Sequence, residues 1–295
     1  MNFRDEWERK TKEADEEVRR HLPAEEGACK NLIAAMDYAV NAGGKRLRPL
    51  LMQEAWRLYG GDGDEIGYFM AGMEMIHTHS LIHDDLPSLD NDDLRRGKPT
   101  VHKVYGEAAA ILAGDALLNY AYETMIRAFS CTTCPDRVVR ALTLVAEKTG
   151  IRGMLGGQSV DVETGGKNLK ADTLAYIYKS KTSALIEASL MAGAILAGAP
   201  GEDVVTLGQA GCLTGLAFQI QDDILDITGT EDELGKPVHS DEKNQKTNYV
   251  TIHGLPDSAL EVEKLSLRAA ELVKGLGKDT AFLEQLLNAL VHRKY

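Results

Sequence analysis

The sequence predicts an all-α protein. Apolar residues recur at helical spacing through most of its 295 positions, and no convincing period-2 strand is present. Aromatic residues contribute only 6%, while Ala, Leu, Met, Glu and Lys are plentiful, which favours helices. Two groups of aspartates interrupt apolar helical runs, one at 84–93 and one at 222–226.

Residues 2–21 are expected to form a charged helix ended by Pro23. A second helix covers 25–41 and stops at Asn41-Ala42-Gly43-Gly44, a helix-terminating signal. GGKRLRP (43–49) opens a third helix that continues to Leu58, and Gly60–Asp64 form a loop capping a long helix that runs into Asp84. After an Asp/Arg-rich loop, 101–129 is Ala-rich and apolar at helical spacing. Further helices are expected at 135–148, 151–163, 171–198, 202–228, 257–274 and 278–292, with GLPDS (254–258) as a loop. No Pro/Ser-rich linker or composition shift interrupts the chain, so 1–295 is expected to be a single domain.

A net charge of -12 argues against nucleic acid or an anionic membrane as the main partner, so an anionic substrate needs local cations or metal. The charged N-terminus has no apolar signal-peptide region, and no apolar run reaches about 18 residues, so no stable membrane insertion is expected. Cys131 and Cys134 form a lone CxxC without a second pair at zinc spacing, and Cys29 and Cys212 sit in helix-like stretches. Reduced thiols and a cytoplasmic setting fit this usage.

The chemistry concentrates in the aspartates. Asp222 and Asp226 share one helical face, with Asp223 beside them. Like charges at that spacing repel, and hard oxygen donors suit Mg²⁺ completed by water and phosphate oxygens. Read alone, this cluster is equally a solvated acidic face. In the first cluster, Pro87 disfavours continuing the helix, and Ser88 occupies the i+4 position from Asp84. Asp90 can therefore rejoin Asp84 only if the chain turns back. An EF-hand is excluded, because counting from Asp90 the obligatory Gly is Arg95 and the twelfth position is Val101. The alternative is an acidic loop neutralised by Arg95 and Arg96. Two such clusters in apolar helices are most simply explained if they face each other and share divalent metal.

Cations occupy equally specific places. Lys45, Arg46 and Arg48 follow a Gly pair that lets backbone amides approach a phosphate, although this is no Walker loop. His77 lies two helical turns before Asp84, either packed in the core or bonded to a bound diphosphate. Lys179-Ser180-Lys181-Thr182 precedes an apolar helix, Lys236 follows Gly235, and Lys246 lies after the second acid cluster. Gln158, Asp161 and Gln219 are polar groups in apolar helices that need partners.

With GGKRLRP, HTHSLIHDDLPSLDNDDLRRGKPTVHK, GGQSVD, KSKT, FQIQDDILD and LGKPVHSDEKNQKT in this order, nearly the whole chain resembles the trans-isoprenyl diphosphate synthases, or polyprenyl synthetases. The resemblance implies a helical bundle around a deep central cavity, usually in a homodimer. It implies three Mg²⁺ ions, with Mn²⁺ as a substitute, held by Asp84, Asp85, Asp90, Asp222 and Asp226. Arg95, Lys181, Thr182, Gln219, Lys236 and Lys246 would bind an allylic diphosphate, with Lys181, Thr182 and Gln219 also assigned as catalytic. Lys45, Arg48, His77 and Arg96 would bind isopentenyl diphosphate.

The implied reaction ionises dimethylallyl or geranyl diphosphate, alkylates isopentenyl diphosphate and loses a proton. In this family the residue five before the first Asp forms part of the floor under the growing chain. That residue is His79, next to Ser80 and intermediate in size, so it leaves both lengths open; the close match to bacterial farnesyl synthases favours farnesyl over geranylgeranyl diphosphate as product. A cyclising terpene synthase would carry Asn/Ser/Glu in place of Asp222, Asp223 and Asp226. A non-catalytic prenyl diphosphate-binding subunit would have lost aspartates from one motif. Asn248 departs from the Thr or Ser common before Tyr249, and little effect is expected.

Overall fold

A computed structural model describes residues 2–165, 168–229 and 247–292. These are mostly helical, with almost no strand. The backbone gathers into two compact units, one holding the chain up to Gln53 with Asp62–Leu142, the other Glu54–Gly61 with the chain from Thr143 onward.

In the first unit, α1 (Phe3–Arg20) is capped by the Asn2 side chain, with Asp5 and Glu6 in its first turn and Arg19 and Arg20 in its last. Those charges complement the helix dipole. The second helix, α2 (Lys30–Val40), begins later than expected, because the chain first turns through Gly27 at φ 74°. GGKR likewise forms a turn rather than a helix start: Gly43, Gly44 and Arg46 all have positive φ, and α3 (Leu47–Leu58) begins only after them. The long helix α4 (Glu65–Asp84) is buried around most of its circumference, which explains why its apolar residues show no single stripe. Asp64 stands at its N-cap, but its side chain makes no capping bond there.

The expected 101–129 helix divides at Gly106, φ 86°, into α5 (Val101–Tyr105) and α6 (Glu107–Arg127), followed by a 3₁₀ turn at Ala128–Ser130. Against α4, α6 comes so close that a Cβ on Gly72 would lie 2.7 Å from Met125 Cγ. Between α4 and α5 the expected loop contains a small hairpin, β1 (Leu94–Arg95) paired antiparallel with β2 (Lys98–Pro99). Arg96 and Gly97 turn it with φ 54° and 74°, the left-handed pair that a tight hairpin requires. The next helix is α7 (Pro135–Thr149).

In the second unit, α8 (Met154–Thr164) and α9 (Ala171–Ile177) lead into a π-helical turn at Tyr178–Ser183, then α10 (Ala184–Ala197) and α11 (Gly201–Thr228). The π turn interrupts what sequence periodicity reads as one helix over 171–198. Beyond it come α12 (Tyr249–His253), α13 (Leu255–Lys274) and α14 (Ala281–Val291). Leu174, Ile177, Tyr178, Ala217, Ile220 and Val262 form the core on which α11, α13 and the π turn pack. GLPDS is the start of α13 rather than a loop, since Pro256 in the first turn lacks only an N–H that would go unused there. Asn248 caps α12: its Oδ1 accepts from Thr251 N, and Thr251 Oγ1 accepts from Asn248 N, both at 2.9 Å. All four cysteines are free thiols.

Candidate active site

The acid end of α4 turns back as Pro87 requires. Asp84 is the last helical residue and Asp85 the C-cap. Leu89 N donates to Leu86 O at 2.9 Å and Asp90 N to Asp84 O at 2.9 Å, so the loop returns Asp90 beside Asp84. Thr100 ties the far side, its N–H reaching Asp93 O at 3.0 Å and its hydroxyl Asp92 O at 2.8 Å. Asp85 is 3% exposed and clamped by Arg95, whose Nε lies 2.7 and 2.9 Å from the two carboxylate oxygens. Burial pushes the Asp85 carboxyl up more strongly than Arg95 draws it down. This buried acid therefore needs its cation.

The hairpin separates adjacent arginines. Arg95 reaches back to Asp85, whereas Arg96 lies against the Gly43–Gly44 turn and donates to Gly43 O. A Cβ on Gly44 would lie 2.7 Å from the Arg96 guanidinium carbon, and the φ of 132° at this turn is one that favours glycine. Lys45 is exposed and Arg48 half-buried; burial draws the Arg48 pKa down to about 10, and its buried Nε has no partner. His77 is half-buried. Burial, together with the charges of Arg48, Arg96, Arg95 and Arg46, holds it well below the usual histidine range, hence neutral. Arg48, Arg96 and the neutral His77 thus share one region of the first unit, and Lys45 is exposed on the adjoining Gly43–Gly44 turn.

Arg46, the cation between Lys45 and Arg48, is used differently. Its side chain is buried and donates to Asp15, Glu74 and Val40 O. His79 is also buried: its Nδ1–H donates to Gly114 O at 3.0 Å, and its ring meets His83 edge-on at 4.7 Å. Ser80 is half-buried and donates to His77 O at 2.8 Å, its own helix backbone.

In the second unit the π turn brings three sequence-predicted residues into place. Lys181 Nζ lies 2.8 Å from Asp161 on α8, and Thr182 donates to Gln219 on α11 at 2.9 Å. Glycines grip this turn. A Cβ on Gly157 would fall 2.4 Å from Lys181 N, and one on Gly215 would fall 2.5 Å from Ser183 Oγ. π turns interrupt helices mostly where function demands a displaced side chain. One turn beyond Gln219, Asp222 is half-buried and Asp226 3% exposed. Asp223 turns inward instead, accepting from Tyr178 OH at 2.6 Å and Tyr249 N at 2.8 Å. Lys236 and Lys246 lie outside the described residues.

Among the described residues no three His, Cys, Asp or Glu side chains are arranged to hold a metal ion by themselves. Mg²⁺ does not need such a cage, because it keeps waters and takes substrate phosphate oxygens alongside one or two carboxylates. The Asp84–Asp90 return supplies donors of that kind. Sequence reasoning missed Asp15, Glu74 and the paired role of Asp161; the signal for Glu74 was a lone acid inside the apolar run MEMI. No pattern marked Asp15, which sits among many charges on α1.

Residues 29–281 match the polyprenyl synthetase family model. A farnesyl diphosphate synthase from Geobacillus stearothermophilus is 43% identical over 280 residues, covering 92% of this chain and 93% of that protein. The large subunit 1 of a heterodimeric chloroplastic geranylgeranyl pyrophosphate synthase from Arabidopsis thaliana is 44% identical over 265 residues, 88% of this chain and 71% of its own. Among solved structures, a geranyltransferase from Helicobacter pylori complexed with magnesium and isoprenyl diphosphate superposes with TM-score 0.82 at 31% identity, covering 99% and 97% of the two chains.

Proposed function

The chain belongs to the polyprenyl synthetase family of prenyltransferases, and we propose that it condenses isopentenyl diphosphate with dimethylallyl and geranyl diphosphates to give (E,E)-farnesyl diphosphate. The observation that carries this reading is the division of Arg95 and Arg96 between two separate cation-bearing regions, one at the aspartates and one at Gly43–Arg48. A condensation of two diphosphates needs two such regions; a cyclase or a simple phosphatase needs one.

In this reading Asp84, Asp85 and Asp90 from the first motif, and Asp222 and Asp226 from the second, hold three Mg²⁺ ions. Bound Mg²⁺ neutralises charge on the departing pyrophosphate. Arg95, Lys181 and Lys246, assisted by Thr182, Gln219 and Lys236, orient the allylic diphosphate and stabilise the same leaving group. Lys45, Arg48, His77 and Arg96 hold isopentenyl diphosphate so that its double bond attacks the allylic carbon as the C–O bond breaks. The proton then leaves for the released pyrophosphate. No side-chain nucleophile enters the scheme.

His79 supports a floor that ends growth at C15. Identity to geranylgeranyl synthases is as high as to farnesyl synthases, so C20 is the second reading. We further propose that 1–295 act as one catalytic domain in a cytoplasmic homodimer. No helix among the described residues is long and apolar enough to cross a membrane, and Ile111, Leu112 and Ile126 leave an apolar strip exposed on α6.

The test is incubation with Mg²⁺, isopentenyl diphosphate and either allylic primer, followed by dephosphorylation and chromatography of the alcohols. Farnesol as end point supports the full reading. Geranylgeraniol keeps the chemistry and moves the product to C20. No elongation from any primer replaces the enzyme with a non-catalytic diphosphate-binding subunit.

A further inference from the structure

Arg46 is a charged residue in a position that ordinarily favours glycine. Its φ of 46° is left-handed, a conformation that is strained for an L-residue. Its guanidinium is wholly buried and hydrogen-bonded on three sides: Nε to Asp15 Oδ1 at 2.7 Å, one Nη to Glu74 Oε1 at 2.8 Å, and the other to Val40 O at 2.6 Å. Those acceptors come from α1, α4 and α2. The strained turn is thus tied simultaneously to three helices, and it carries Lys45 on one side and Arg48 on the other.

Glu74 is 1% exposed, one helical turn before His77, and its charge acts on Arg46, Arg48 and Arg96 alike. Asp15 is partly open to solvent. It receives Arg19 on its second oxygen at 2.6 Å and lines, with Trp7 and Gly43–Lys45, a groove of about 480 Å³. The family model begins at residue 29, so it assigns nothing to α1.

We propose that α1 is a working part of the isopentenyl diphosphate site: Asp15 and Glu74, gripping Arg46 between them, are positioning residues that hold the Gly43–Arg48 turn so that Lys45 and Arg48 meet the second diphosphate. This rests on the proposed two-diphosphate reading. Arg46 then touches no substrate and works through its neighbours. Losing an acceptor leaves its buried charge short of a partner and frees a turn that its own backbone does not favour. The allylic side, where Arg95 pairs with Asp85, does not share these bonds.

The experiment measures isopentenyl diphosphate binding to the full-length protein by calorimetry, and steady-state kinetics in both substrates, for wild type, Asp15→Ala and Asp15→Asn. Asp15→Ala should weaken isopentenyl diphosphate binding and raise its KM about tenfold, the loss of one hydrogen bond to a charged group, with the allylic KM unchanged. Asp15→Asn keeps an acceptor at the same place and should recover most of the loss. Equal changes in both KM values, or no change in either variant, overturn the proposal. If Asp15→Ala does not fold, Asp15→Asn against wild type decides through the same ratio of KM values, with about twofold for isopentenyl diphosphate alone as the expected shift. Wild type that binds no isopentenyl diphosphate would instead overturn the functional reading beneath it.

Discussion

At the scale of residues, the candidate site is built from charges placed where burial makes their partners obligatory. Asp85 and Arg95 are the clearest case, since a two-point guanidinium fork meets a carboxylate whose charged form burial disfavours. Lysine keeps the charge but not the fork. Arg95→Lys is therefore expected to lower kcat by roughly ten- to a hundredfold while the protein stays folded, checked by steady-state kinetics beside circular dichroism. His79 carries a different signature. Burial and the neighbouring His83 lower its pKa to about 4, so the folded protein resists the proton that the unfolded chain accepts near pH 6.5. Its contribution to stability is therefore lost as pH falls below 6.5 and continues to fall towards 4. Urea unfolding at pH 7 and pH 5 should show about 2 kcal/mol more acid sensitivity in wild type than in His79→Gln. His79→Ala also removes a ring pinned to Gly114 O, and the expected result is longer prenyl products by chromatography. An unchanged C15 distribution would take His79 out of the chain-length floor.

At the scale of elements, the candidate site rests on irregularities that interrupt good helices. The π turn at Tyr178–Ser183 displaces Lys181 and Thr182 towards Asp161 and Gln219, and it fits only because Gly157 and Gly215 carry no Cβ. Gly157→Ala would press a methyl group against the Lys181 backbone and should cost about 1–3 kcal/mol in denaturant unfolding, with kcat falling as well. Gly201, at the start of α11 with nothing within 4 Å of its added Cβ, is the matching control, and Gly201→Ala should leave both nearly unchanged. The hairpin at 94–99 works in the same way. Two left-handed residues turn the chain, and because Arg95 ends the strand while Arg96 begins the turn, the neighbouring arginines point in different directions.

At the scale of the whole molecule, a chain of net charge -12 keeps its acids compatible with a folded state without metal. Asp85 is met by Arg95, while Asp223 is met by Tyr178 and the Tyr249 N–H. In the proposed reaction Mg²⁺ would serve the anionic substrate rather than the fold. Chelation with EDTA should abolish pyrophosphate release while moving the thermal midpoint by no more than about 2 °C; a larger fall would make metal a structural component.

The sequence alone determined the all-helical class, the positions of most helices and the two acid motifs, because periodicity, Gly/Pro punctuation and charges inside apolar runs are local signals. It also required the turn after Asp85, since Pro87 cannot sit comfortably within the helix. What it left open were choices between groups of the same type. Asp222, Asp223 and Asp226 look alike in sequence, and only packing turns Asp223 inward to Tyr178. Lys45, Arg46 and Arg48 likewise form one basic run, yet only the meeting of α1, α2 and α4 buries Arg46 among Asp15, Val40 and Glu74. Helix breaks at Gly106 and in the π turn were hidden because 3.6-residue periodicity continues across them. Local chemistry fixes which residues can bind charge; the tertiary structure decides which of them are already occupied by one another, since burial makes every such pairing compulsory.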